Sequence, residues 1–125
     1  MILKSPTIAL SLFCFLTGCL GKSPIKQACT QEARAGLNIV VKDVQTNLFL
    51  RDSLSLIAGS GSYTEALEIF PGNPPTFMGA WEREGTYTIS ITRPRYQPMV
   101  SSPITVLKDE CHVIPQSFTI ALIPK

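Results

Sequence analysis

The strongest constraint on the fold of this chain is an alternation of apolar and polar residues with a period of two. The alternation is clearest in residues 86–93, where the apolar Tyr87, Ile89 and Ile91 alternate with threonines and a serine. Successive side chains of a β-strand point to opposite faces of a sheet, so this spacing predicts a strand with one buried face.

Apolar segments separated by turn residues predict seven strands, which cover residues 37–42, 54–58, 63–70, 76–82, 86–93, 99–107 and 117–123. A helix is the alternative for residues 63–70, because several residues there are not strongly β-prone. Both faces of residues 117–123 are largely apolar, which predicts a central place in a sheet. Seven short strands and no long helical pattern predict an all-β sandwich.

The N-terminus has the three parts of an export signal: a basic start at Lys4, an apolar run over residues 8–16 and a small-residue region. A membrane-crossing helix needs about 20 apolar residues, and this run is much shorter. The segment is therefore predicted to be a targeting signal.

Leu16, Thr17, Gly18 and Cys19 resemble the lipobox of bacterial lipoproteins. The resemblance implies that residues 1–18 are removed and that an acylated Cys19 anchors the mature protein to a membrane. The alternative is an ordinary cleaved signal with a chance cysteine. Leu20 stands where an aspartate favours inner-membrane retention in Gram-negative bacteria, so we expect an outer-membrane lipoprotein if the cell is Gram-negative, facing the periplasm or the exterior.

The chain has four cysteines. Cys14 leaves with the signal peptide and Cys19 carries the lipid, so Cys29 and Cys111 remain as a pair in an oxidising compartment. We expect a disulfide, for which the chain-entropy estimate is roughly 4 to 5 kcal/mol. The alternatives are a reactive thiol or a metal site, but zinc requires four suitably spaced ligands and the chain has one histidine. No metal and no cofactor are predicted.

The mature chain divides into a tether and one domain. Residues 19–35 have little apolar periodicity and are typical of a tether, and residues 36–125 form the predicted domain. The formal charge of the whole chain is +2, with the basic residues dispersed. This charge distribution excludes an electrostatic surface for nucleic acid.

One segment carries a second resemblance: Gly85, Thr86, Tyr87, Thr88, Ile89, Ser90 and Ile91, followed by Tyr96. It resembles the carboxypeptidase regulatory-like domains, whose fold is a seven-stranded, Greek-key, transthyretin-like (prealbumin-like) sandwich. The resemblance covers roughly residues 36–123 and implies a tight turn at Gly85 and a Tyr87 ring between the sheets. Arg95 departs from the family, which usually has glycine before the tyrosine. The segment 109–115 is similar to small bacterial lipoproteins of this type, in which its cysteine pairs with one near the mature N-terminus.

Members of this superfamily serve mostly as accessory, anchoring or binding modules. The resemblance therefore implies a non-enzymatic structural or interaction module with a protein or envelope partner, whose identity and oligomeric state the sequence does not specify. The enzymatic branch, the hydroxyisourate hydrolases, uses several histidines and a C-terminal Tyr-Arg-Gly-Ser. This chain has one histidine and ends Ile123, Pro124, Lys125, so no catalytic residue is assigned.

Two alternative functions have candidate residues. Exposed Trp81, Tyr96 and Tyr63 would make a carbohydrate- or small-ligand-binding module. A hydrolase would require His112 within hydrogen-bonding reach of a serine or carboxylate in a cleft, whereas we expect His112 to be a surface residue. The carboxylates at Glu65, Glu68, Glu82, Glu84, Asp109 and Glu110 match no metal-binding loop and are interpreted as solvated strand-edge residues.

Overall fold

A computed structural model describes residues 28–125 of the chain. The predicted signal peptide of residues 1–18, Cys19 and residues 20–27 of the predicted tether lie outside the described residues. In the described part, no helix is long and apolar enough to cross a membrane.

Nine strands make up the domain: β1 Ala35–Asp43, β2 Ser55–Ser60, β3 Tyr63–Ala66, β4 Glu68–Phe70, β5 Thr76–Trp81, β6 Gly85–Thr92, β7 Met99–Val100, β8 Ile104–Val106 and β9 Gln116–Leu122. The first sheet has the order β4-β5-β1-β9. The second has the order β3-β2-β6-β7, and β8 also pairs with β6. The neighbours are antiparallel except β1 and β9, which run parallel in the register Leu37 to Gln116. The domain is therefore an all-β sandwich, as predicted.

The nine strands fall within or overlap the seven predicted segments, but the predicted number of strands is wrong for two reasons. The segment 63–70 divides at Leu67, where the chain passes from the second sheet into the first and buries the leucine side chain between them. The segment 99–107 divides before Pro103, which has no N–H group for a sheet ladder. The helix alternative for residues 63–70 is excluded, because both halves of that segment are strands.

The prediction that the last strand is central is also wrong. β9 pairs only with β1 and lies at the edge of the first sheet. Its apolar Phe118 remains 44% exposed, and Ile123, just after the strand, remains 50% exposed. Apolar residues on both faces of β9 therefore do not mean that both faces are buried.

The core lies between the sheets and follows the period-two alternation. Leu37, Ile39 and Val41 of β1 face Tyr87, Ile89 and Ile91 of β6, and all six are 0% exposed. Burying each aliphatic side chain contributes about 1.5 to 3 kcal/mol. The Tyr87 hydroxyl donates to the carbonyl of Arg83 at 3.0 Å, so the ring is buried without losing its hydrogen bond. Gly85 has a φ of 154°, a backbone conformation that favours glycine.

The two ends of the sandwich can be named from β1. The tether end is where β1 begins, at Ala35, which pairs with Trp81 of β5. The far end is where β1 finishes, at Asp43. The eight residue steps between these positions correspond to about 26 Å of strand.

Candidate functional site

A polar cavity of about 470 Å³ opens at the tether end of the sandwich, where the N-terminal segment meets the loop between β8 and β9. Its lining consists of Ala28, Cys29, Thr30, Arg34, Asp109, Glu110, Cys111 and His112. It is larger than the two apolar grooves along β9, which measure about 270 and 150 Å³. The cavity is lined by five of the reactive side chains that the sequence singles out, namely Cys29, Cys111, His112, Asp109 and Glu110.

Cys29 and Cys111 form a disulfide on one wall of this cavity, the pairing that the sequence predicts. Their Cα atoms are 5.3 Å apart, within the range that a disulfide spans. Cys29 is exposed and Cys111 is half-buried. The bond joins the segment that precedes β1 to the loop that precedes β9, across 82 positions of sequence.

The expectation that His112 is a surface residue is wrong. The residue is 6% exposed, and both nitrogen atoms of its ring have partners. Nδ1 donates to the Glu82 carboxylate, because an ionised carboxylate can only accept. In the neutral ring, Nε2 then accepts from the Thr30 hydroxyl at 2.9 Å. His112 is buried because it lies between Thr30 of the N-terminal segment and Glu82 of the turn after β5.

Glu82 is the centre of this arrangement. Its Oε2 also accepts the backbone N–H of Arg34 at 3.0 Å, and its Oε1 accepts the backbone N–H of Val113 at 3.0 Å. The backbone N–H of Glu82 in turn donates to the Arg34 carbonyl at 2.9 Å. We call Thr30, Arg34, Glu82, His112 and Val113 the polar latch. It joins the N-terminal segment, the β5–β6 turn and the β8–β9 loop.

The electrostatics of the latch favour an ionised carboxylate. The hydrogen bond from His112 holds the pKa of Glu82 below its usual value, and the N–H groups of Val113 and Arg34 act in the same direction against burial. The pKa of Asp109 is also lowered, because its Oδ1 accepts the backbone N–H groups of His112 and Cys111 at 2.9 and 2.8 Å. These two bonds shape the loop that places His112 against Glu82.

The prediction that all the carboxylates are merely solvated is therefore wrong for Glu82. It is also wrong for Glu65, whose two oxygens accept the Tyr63 hydroxyl at 2.8 Å and the Ala80 N–H at 3.1 Å. No sequence pattern pointed to the partnership of Glu82 with His112, 30 residues away. Only the pairing of β1 with β5 and β9 brings the two segments together.

The three aromatic residues predicted as ligand-binding candidates are divided between the two ends of the sandwich, because Glu65 links Tyr63 to Ala80 beside Trp81. Tyr96, half-buried, donates its hydroxyl to Asp43 Oδ2 at 2.6 Å at the far end. Tyr63 belongs to β3 of the second sheet, and the guanidinium of Arg83 covers its ring at 3.5 Å. Trp81 is at the tether end of the first sheet. The three rings therefore do not form one binding platform.

Trp81 has a different aromatic neighbour, Phe70, which no sequence pattern indicated. Its ring centroid is 5.9 Å from that of Phe70, with the planes inclined at 60°. The two residues are 40% and 37% exposed. The structure thus leaves one pair of adjacent aromatic rings open to solvent, on the first sheet.

The chemistry available at the cavity is limited but recognisable. Thr30, His112 and Glu82 stand in the order hydroxyl, imidazole and carboxylate that nucleophilic enzymes use to activate an alcohol. Residues 28–125 contain no group of three or more His, Cys, Asp or Glu side chains arranged to hold a metal ion. The same contacts also serve a structural role, because they connect separate segments of the chain.

Comparison with known proteins assigns no family. No family model matches the chain. No curated protein matches it either.

Proposed function

We propose that this protein is a lipid-anchored, non-enzymatic module of the cell envelope that works by contact with other envelope components. The observation that supports the proposal is the way in which the N-terminal segment is held. The disulfide and the polar latch both hold it to the sandwich just before β1 begins. A segment that served only to connect a signal sequence to a domain would not require such attachments.

The attachments determine how an anchor at Cys19 would present the domain. Cys29 is ten residues after Cys19 in the sequence, and ten residues span at most about 35 Å when fully extended. Because the disulfide fixes Cys29 to the sandwich, the tether end of the domain stays within about that distance of the membrane. Diacyl or triacyl modification would make the anchorage stable.

We propose the transthyretin-like, Greek-key class for the fold. The support comes from the two-sheet architecture, in which the chain passes between the sheets four times. Further support comes from Tyr87, which lies fully buried between the sheets where the carboxypeptidase regulatory-like resemblance places it.

The anchor is tested by membrane fractionation of cells that express the full chain. We expect the wild type to incorporate labelled palmitate and to fractionate with membranes. Cys19→Ser is expected to lose both properties, because it removes the acylated thiol. Cys14→Ser is the matched control, since it changes a cysteine five positions away and is expected to retain both. A Cys19→Ser protein that remains membrane-bound would contradict the anchor.

A hydrolase is the second candidate, and the Thr30, His112 and Glu82 contacts favour it. In such an enzyme Thr30 would attack an ester carbonyl while His112 accepts its proton. The ester C–O bond would then break, the alcohol would leave with the proton from His112, and water would hydrolyse the acyl-threonine. The test is turnover of an activated ester by the purified protein. The non-enzymatic module predicts equal rates for the wild type, Thr30→Val and the exposed control Thr105→Val. Activity that only Thr30→Val abolishes would establish the hydrolase.

A further inference from the structure

The outer face of the first sheet carries an apolar strip that ends at the tether end. Residues paired across neighbouring strands project to the same face, so the pairs Glu68–Met78 and Phe70–Thr76 place Phe70 and Met78 together on that face. The face is the outer one, because the alternate residue Phe77 is 4% exposed in the core. Trp81 packs against Phe70 at a centroid separation of 5.9 Å.

A backbone irregularity explains why Trp81 is exposed. Ala80 has a φ of 54°, a left-handed conformation that is unusual for a residue with a Cβ atom. The strict alternation of β5 fails there, so that Gly79 and Ala80 are both buried and Trp81 is 40% exposed. The chain thus directs the one tryptophan of the protein outward, although it follows two buried residues.

The charges of this face do not select a charged partner. By the same register, the outward positions of β1 are Asn38, Val40 and Lys42, and those of β4 are Glu68 and Phe70. One cation and one anion are therefore spread along these two strands. A partner that binds this face must recognise it through the aromatic rings.

The position of the strip relative to the anchor indicates which partner is in reach. Trp81 pairs with Ala35, the first residue of β1, so it lies where the N-terminal segment joins the sheet. The disulfide keeps this end of the domain within about 35 Å of an acylated Cys19. Tryptophan is enriched at the boundary between lipid headgroups and water, because its ring is apolar and its N–H is polar.

We propose that Trp81 and Phe70 dock on the phospholipid headgroup interface of the membrane that holds the lipid anchor. This inference rests on the proposed anchorage at Cys19. Docking lays the outer face of the first sheet toward the bilayer. The open edges of β9 and of the second sheet then remain free for contacts with other envelope components.

The single tryptophan makes the proposal directly measurable. The mature protein with an acylated Cys19 is reconstituted into phosphatidylcholine vesicles with bromine atoms on the shallow part of the acyl chains, which quench nearby tryptophan. We expect roughly twofold or greater quenching of Trp81 relative to unbrominated vesicles, because interfacial side chains reach the headgroup and acyl boundary. Phe70→Ser should reduce the quenching. The control Phe118→Ser changes a similarly exposed phenylalanine on β9 and should leave the quenching unchanged.

The outcomes of this experiment distinguish failure of the docking from failure of the anchor. A protein that floats with the vesicles but shows unquenched Trp81 fluorescence overturns the docking and leaves the anchor in place. A protein that does not float overturns the anchor, and the docking with it. Unquenched fluorescence that instead responds to peptidoglycan fragments overturns the docking and assigns the face to a carbohydrate. The wild-type measurement needs no variant, so it does not depend on the folding of Phe70→Ser.

Discussion

A hydrogen-bonded carboxylate lies at each end of the sandwich, but it connects different parts of the chain at the two ends. At each end a carboxylate accepts hydrogen bonds from two backbone N–H groups and from one side chain. Glu82 at the tether end accepts from the Arg34 and Val113 backbones and from the His112 ring. Asp43 at the far end accepts from the Gln45 and Thr46 backbones and from the Tyr96 hydroxyl. In both cases the hydrogen bond from the side chain lowers the carboxyl pKa most.

The two carboxylates differ in where their backbone donors lie in the sequence. Asp43 binds residues two and three positions away, so it shapes its own turn. Glu82 binds backbone groups 48 and 31 positions away, and the disulfide reinforces the same connection. The far end is therefore a capped turn, whereas the tether end is a junction that holds the N-terminal segment to the domain.

The largest effect is expected from the covalent part of the junction. Cys29→Ser opens the 82-position link, and the chain-entropy estimate gives a loss of about 4 to 5 kcal/mol in the free energy of unfolding. Urea denaturation of the wild type with and without a reductant provides the measurement. Reduction of the wild type should reproduce the variant, and reduction of the variant should change nothing. Equal stability of the oxidised and reduced wild type would show that the disulfide does not stabilise the junction.

A smaller effect is expected from the centre of the polar latch. Glu82→Gln retains the shape of the side chain but replaces one accepting oxygen with an NH₂ group, which cannot accept from its present donors. The urea midpoint should fall by less than on loss of the disulfide. Glu84→Gln is the matched control, because Glu84 is exposed, and its midpoint should equal that of the wild type. If the two variants were equally stable, Glu82 would have no role in the junction.

A still smaller effect is expected at the far end. Tyr96→Phe keeps the half-buried ring and removes only the hydroxyl that donates to Asp43. Asp43 retains both of its backbone donors, so the turn keeps its shape. The urea midpoint should therefore fall less than in Glu82→Gln. A larger fall in Tyr96→Phe would reverse the comparison between the two ends.

The carboxylates and the Tyr96 phenol affect the free energy of unfolding in different pH ranges. The folded pKa values of Glu82 and Asp43 lie below the ordinary values of 4.5 and 3.8. The two carboxylates therefore contribute fully to the free energy of unfolding when the pH is above their ordinary pKa values. This contribution is lost as the pH falls through their folded pKa values. The pKa of Tyr96 is raised by its hydrogen bond to Asp43, so its contribution is lost only as the pH rises through a folded value above 10.0.

Unfolding curves between pH 2 and pH 7 check the acidic side. We expect the gap in stability between the wild type and Glu82→Gln to be largest at neutral pH and to narrow at the acidic end, where the wild-type carboxyl is also protonated. A gap that is constant over this range would mean that the charge of Glu82 does not contribute.

The sequence is enough to predict the regular strands and the Cys29–Cys111 pairing, but not the hydrogen bonds of the site. The alternation at residues 86–93 is enough to predict β6 and the burial of Tyr87, because one face of a strand must meet the other sheet. The division at Leu67 depends on which sheet each half of the segment joins, which is a long-range property. The same limitation applies to His112, whose burial depends on Glu82 in a turn 30 residues away.

The anchor and the junction are tested most directly by mass spectrometry of peptides from the mature, membrane-extracted protein without a reductant. We expect an N-terminal peptide that begins at an acylated Cys19, together with a disulfide-linked pair of peptides that contain Cys29 and Cys111. Free thiols at Cys29 and Cys111 would contradict the junction. An unmodified Cys19 would contradict the anchor that the junction is proposed to serve.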